Sequence, residues 1–139
     1  MIKLSLNKQP KIEVRAVIQS DTMKIIKDKQ RKPFINKFTC ILSVFLDDSQ
    51  FTITAPSNYC YDGATIPCGI GKGDMQLLIP ALFHDIMCEK KHLINYNRKL
   101  SSEIFKELLL LMKVNKTKAQ VMYRAVNTYQ KFKKGWKVE

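Results

Sequence analysis

Hydrophobic and polar residues alternate through the first part of the chain, and the period then lengthens. Residues 2–6 and 12–18 alternate as half-buried strands do, with Ile12, Val14, Ala16 and Ile18 on one face of the second. Residues 23–26 form a weaker strand candidate, and the charged run from Lys27 to Pro33 reads as a loop. Residues 38–46 are rich in β-branched and aromatic side chains. After the turn chemistry of Asp47-Asp48-Ser49, Phe51, Ile53 and Ala55 share a face. This pattern predicts a β-hairpin near 38–55, which Pro56 ends.

Residues 57–74 carry glycines without regular periodicity, and a connection of that length in a compact domain is usually functional. From 75 onward the spacing is helical. Asp74 is placed to cap a first turn, and Pro80 either starts or kinks the helix that Leu82, Phe83, Ile86 and Met87 continue. Asn95-Tyr96-Asn97 interrupts the pattern. A second helix is expected over about 101–112, with Ile104, Phe105, Leu108, Leu109 and Met112 on its apolar stripe. Thr117-Lys118-Ala119-Gln120 reads as a capping box opening a third helix. Met122, Ala125, Val126 and Tyr129 are expected to face the core there; Gly135 ends the helix and Trp136 packs back. The pattern predicts an α+β fold, a small N-terminal antiparallel sheet packed against three C-terminal helices. It reads as a single domain over 1–139: strand-rich 1–56, a functional loop 57–74, and helical 75–134.

Charge adds a direction to this outline. The 139 residues carry 24 Lys and Arg against 12 Asp and Glu, a net charge of +12. Beyond Lys113 the cations are Lys113, Lys116, Lys118, Arg124, Lys131, Lys133, Lys134 and Lys137, against the single acid Glu139. Such a field favours nucleic acid, nucleotides, anionic lipid or an acidic protein. The competing account is a Lys-, Asn- and Ile-rich composition with a solvated surface. On α-helical spacing Arg124, Lys131 and Lys134 share one side, where Tyr123 and Trp136 would add aromatic surface for stacking single-stranded bases. The opening residues alternate rather than forming an apolar run, and the longest apolar stretches, 77–82 and 108–112, are too short to span a bilayer. No pair among Cys40, Cys60, Cys68 and Cys88 has zinc-knuckle spacing, so free thiols in a cytoplasm are expected.

The candidate chemistry lies between the two halves. His84 is a candidate general base with an ordinary pKa near neutral. Asp85 projects roughly 100° away around a helix, so it is better placed to bind a cation than to orient that imidazole. Asp62 is a third group, and the backbone carbonyls of Gly63, Gly69, Gly71 and Gly73 are candidate ligands for a hard ion such as calcium. A histidine–aspartate phosphohydrolase needs a metal-binding histidine well upstream. The only other histidine is His92, downstream, so that class is excluded. Cys60, Cys68 and Cys88 are nucleophile candidates that spacing does not separate, and buried small apolar cysteine is the favoured reading. In the purely structural account Asp85 pairs with Arg98, His84 fills a polar gap in the core, and Asp62-Gly63 is simply a turn.

At these residues the sequence resembles a small domain of unknown function common in tailed phages and prophages. That family has an Asp-Gly-Ala-Ser-Ile-Pro loop, then a His-Asp helix, then a helix that opens with Arg and continues to Asp-x-x-Phe. Here the three are Asp62-Gly63-Ala64-Thr65-Ile66-Pro67, His84-Asp85-Ile86-Met87-Cys88, and Arg98 to Phe105, within a resemblance over about residues 50–136. The resemblance adds Gly63, Thr65 and Arg98 to the candidate binding residues. Ser102 stands where the family has Asp, and Cys88 where an aromatic is common. The layout is more loosely similar to calcium-dependent secreted phospholipases. That likeness implies His84 as base, Asp85 as calcium ligand, and an orienting Asp where this chain has Ser102. The combined expectation is a phage-type accessory protein with a hydrolase-like, degenerate pocket built on His84, Asp85 and Asp62, located in the host cytoplasm. The alternative is a non-enzymatic host-takeover or counter-defence factor that binds nucleic acid or an acidic protein through Arg124, Lys131 and Lys134.

Overall fold

The computed structural model describes residues 2–14, 34–61, 75–89 and 97–132. Two small antiparallel sheets precede three helices, an α+β arrangement as the sequence predicts. Strands β1 (Lys3–Leu6), β4 (Cys40–Phe45) and β5 (Gln50–Ala55) form one sheet in the order β1-β4-β5. Strands β2 (Ile12–Val14), β3 (Phe34–Asn36) and β6 (Tyr59–Tyr61) form the other in the order β2-β3-β6. The expected strand at 23–26, the loop at 27–33 and most of loop 57–74 lie outside the described residues.

The two sheets share one register. Pairing of Cys40 with Ala55 continues across the break as Asn36 with Tyr59, and pairing of Leu6 with Leu42 continues as Ile12 with Asn36. The sheets are therefore the two arms of one three-stranded ribbon folded at a corner, which all three segments cross at 7–11, 37–39 and 56–58. This replaces the single sheet expected from the sequence and extends the hairpin to 34–61. Asn36 pins the corner. It is fully buried, and its Nδ2 donates to the carbonyls of Phe38 at 2.6 Å, Ala55 at 3.3 Å and Pro56 at 3.1 Å. Asn7 Oδ1 accepts from Ile41 N–H at 2.8 Å, and Ser57 Oγ donates to Lys37 O at 3.1 Å. Asn58 takes the left-handed conformation (φ 65°) that asparagine tolerates better than most residues, allowing the tight step from β5 to β6. That step makes a strand of Tyr59–Tyr61, where the sequence predicted irregular loop.

Helix α1 (Met75–Glu89) is the central element. Residues 77–84 are all buried, as a helix apolar on every side must be, so the helix carries no solvent stripe over that span. It packs on β5 and β2 on one side and on α2 (Arg98–Leu111) on the other, while α2 also reaches β1 and α3 (Lys116–Phe132) closes over α2. Pro80 falls in the second turn rather than starting the helix. Asn97, expected to interrupt the helical pattern, is the N-cap of α2, its Oδ1 accepting from Leu100 N–H at 2.6 Å. The cap of α3 is Asn115, which accepts from Thr117 N–H at 2.8 Å, so the capping box predicted at Thr117 is not the one used. One apolar cluster joins the inward strand residues Leu42, Val44 and Ile53 to Leu82, Phe105 and Met122.

Candidate functional site

The last two turns of α1 and strand β6 bring the candidate polar groups together. His84 is fully buried, its ring 5.3 Å from that of Phe105 on α2. Its Nδ1 lies 3.6 Å from the thiol of Cys88, one turn further along. Transfer of an imidazolium out of water is costly, so burial lowers the pKa of His84 from 6.5 to about 4 and holds the ring neutral. Ser102 is also fully buried, on the same face of α2 as Phe105 and one turn before it.

Asp85 is half-buried, and its charge is felt by both tyrosines of β6. Burial first, and then the Asp85 charge, raise the pKa of Tyr61, whose hydroxyl donates to Leu78 O at 2.9 Å. Tyr59 stacks on Tyr61 with ring centres 6.4 Å apart. Its pKa is pushed up by burial, then by the neighbouring Glu89 carboxylate, then by Asp85 and Cys88. Glu89 approaches that hydroxyl without closing a well-formed hydrogen bond. Both phenols therefore stay protonated as potential donors. Sequence reasoning missed Tyr59 and Tyr61 because it read them as loop; the strand-favouring triplet Tyr59-Cys60-Tyr61 was the available signal.

Among the described residues, buried side-chain atoms without a hydrogen-bond partner include Tyr59 Oη, Arg98 Nε and Ser102 Oγ. Arg98 opens α2 and donates from Nη1 to Asn127 Oδ1 at 2.6 Å, tying α2 to α3. Asp62, Gly63 and Thr65 lie outside the described residues, as do His92, Lys134, Trp136 and the glycine carbonyls offered for calcium. Among the described residues no three His, Cys, Asp or Glu side chains are grouped to hold a metal ion. Among the described residues Cys40, Cys60 and Cys88 form no disulfide, and Cys68 lies outside the described residues.

The basic surface divides differently from its expected pattern. Ala119, Met122, Val126 and Gln130 form the buried stripe of α3. Ala125 and Tyr129, expected to face the core, are exposed, each lying about 100° around the helix from the buried residue that follows it. Arg124 is exposed, Lys131 lies in the last turn, and Lys116 and Lys118, which the sequence pattern places in the turn before the third helix, belong to its first turn. Tyr123 is half-buried, with the Lys106 ammonium 5.4 Å from its ring centre. No helix among the described residues is long and apolar enough to cross a membrane.

No curated protein and no solved structure matches the chain. A family profile described as "Protein of unknown function (DUF1353)" matches residues 42–126, a span that takes in the β4–β5 hairpin, β6, α1, α2 and more than half of α3. With most of its length inside that match, and every described polar group of the His84 cluster within it, the chain belongs to the DUF1353 family of proteins of unknown function.

Proposed function

We propose that the protein is a phage-type accessory protein that acts by binding an anionic macromolecule, with the His-Asp helix serving as a degenerate, hydrolase-like core. The observation that carries this reading is the state of His84: fully buried against Phe105 and lowered to a pKa of about 4. A general base working near neutral pH needs a pKa closer to 7 and access to the proton it removes. The chemistry offered to solvent is instead cationic. Helix α3 contains no acidic residue, and Lys116, Lys118 and Arg124 are exposed on it. The phage setting that the sequence resemblance implies supports the accessory role. Fluorescence anisotropy with labelled single-stranded DNA, duplex DNA and poly-glutamate, at low and moderate salt, tests the reading. Binding that weakens steeply with salt is expected, together with loss in the Lys118→Glu, Arg124→Glu double variant. No binding of any polyanion at low salt overturns it.

A hydrolase reading keeps one observation of its own. Tyr59 Oη, Ser102 Oγ and Arg98 Nε are buried without partners on the elements that surround His84 and Asp85, and such orphaned groups concentrate at functional sites. In this reading Asp85, with Asp62, holds calcium, and His84 polarises water once the site opens. Ser102→Asp restores the family's acid; it should raise ester or phosphodiester turnover measured with calcium, while His84→Asn removes it. Turnover indifferent to both changes rules the reading out.

A further inference from the structure

We propose that the protein pairs with a second copy of itself through the outer edge of β5, joining its β1-β4-β5 sheet to that of the other copy; this is independent of the binding function proposed above. β5 is an edge strand in that order. The bond from Leu46 N–H to Ser49 O sets the phase of its ladder. Phe51, Ile53 and Ala55 then exchange bonds with Val44, Leu42 and Cys40, while Gln50, Thr52 and Thr54 turn their amide N–H and carbonyl groups away from β4. All three are exposed. A row of donors and acceptors of that kind is a template for another strand.

Sheet edges that remain unpaired are blunted by charge, by proline or by a covering element. The opposite edge follows that rule: β1 opens with the exposed Lys3, and α2 packs against it. β5 does not. It holds no charge and no proline, and it lies within 49–61, the longest run of the chain without a charged residue.

The two ends of the edge select a second copy as the occupant. Exposed Asp48 stands at the hairpin tip, just before Gln50. At the other end, just past Ala55, Ser57 donates from Oγ to Lys37 O at 3.1 Å, so Lys37 lies beside it in the adjoining segment. Antiparallel pairing about a two-fold axis at Thr52 sets Thr52 against its own copy and Gln50 against Thr54 of the other. The same register carries Asp48 to Pro56 of the other copy, next to Ser57 and so toward Lys37. Carboxylate and ammonium are thus brought together at both ends, and nothing charged meets between them. A strand of another protein gains the same backbone bonds without this match of ends. Parallel pairing sets Asp48 against Asp48. The contact is one strand wide, smaller than most tight interfaces, so a dimer that dissociates at about 10–100 µM is expected.

Sedimentation velocity of the full chain from about 5 µM to about 1 mM tests the proposal. A monomer–dimer equilibrium is expected, with exchange of the Gln50, Thr52 and Thr54 amides slowing as the dimer forms. Thr52→Lys sets like charges on the two-fold axis and should weaken pairing at least about ten-fold, with the urea midpoint of the monomer unchanged. Asp48→Lys and Lys37→Glu should each lose self-pairing about ten-fold, and the two variants mixed should pair, because each then meets opposite charge at both ends. That recovery separates a lost contact from a misfolded chain. A chain that stays monomeric throughout, a dimer indifferent to Thr52→Lys, or variants that fail to pair when mixed overturns the proposal. A monomer whose edge amides are protected only by an added strand-forming peptide of unrelated sequence assigns the edge to another protein and overturns it as well. Polyanion binding is read separately and bears only on the function proposed above.

Discussion

At the scale of the residue, His84 shows how a burial pattern turns a candidate base into a stability determinant. Its folded pKa of about 4 lies below the 6.5 of an exposed imidazole. As pH falls, the unfolded chain therefore binds the proton first. The contribution is complete above about pH 6.5 and is lost progressively down to about pH 4, on the order of 3 kcal/mol in all. Urea unfolding at pH 7 and pH 4.5 should show the wild type losing more stability than His84→Gln by about that amount, since carboxylate contributions are common to both. Equal losses would mean that His84 is accessible to protons in the folded state. Ser102 belongs to the same environment: a small hydroxyl, where the resembled family has a carboxylate, adds no negative charge to hold an imidazolium.

At the scale of the element, the helices end where side-chain geometry permits rather than where the apolar pattern stops. Helix α2 closes in a Schellman arrangement: Val114 N–H bonds Leu109 O and Lys113 N–H bonds Leu110 O, both at 2.9 Å. Lys113 takes the left-handed position at φ 67°. Lys113→Gly should therefore stabilise the protein by about 1 kcal/mol, read as a higher urea midpoint with unchanged slope. An unchanged or lower midpoint would place the strain elsewhere. Asn115, just beyond, caps α3 through the amides of Thr117 and Lys118. One short connection thus ends one helix, starts the next and raises the local positive charge.

At the scale of the whole molecule, the folded ribbon holds β6 beside α1, and Asn36 holds the fold of the ribbon. Asn36→Leu removes the donor that serves three carbonyls at the corner and should cost about 3 kcal/mol. The accompanying observation is faster amide exchange in β3 and β6 than in β4 and β5, measured by NMR; uniform acceleration would mean that the corner is not a separate hinge of stability. The sequence by itself determined the fold class, because a period of two followed by a period near 3.6 can bury its apolar face only as strands and then helices. It also determined that Asp85 and His84 point in different directions, since one residue step on a helix fixes that angle. It showed the positive charge of the C-terminal third as well. Tertiary structure alone decided the corner, because Asn36 must meet the carbonyls of Ala55 and Pro56, about twenty residues away, as well as that of nearby Phe38, and no local pattern encodes that meeting. It decided that His84 is sealed, because the seal is Phe105 on another helix. It decided that Ala125 and Tyr129 face outward, because the direction of the α3 core stripe is set by where α2 lies; apolar spacing along α3 is compatible with more than one facing until a neighbour is chosen.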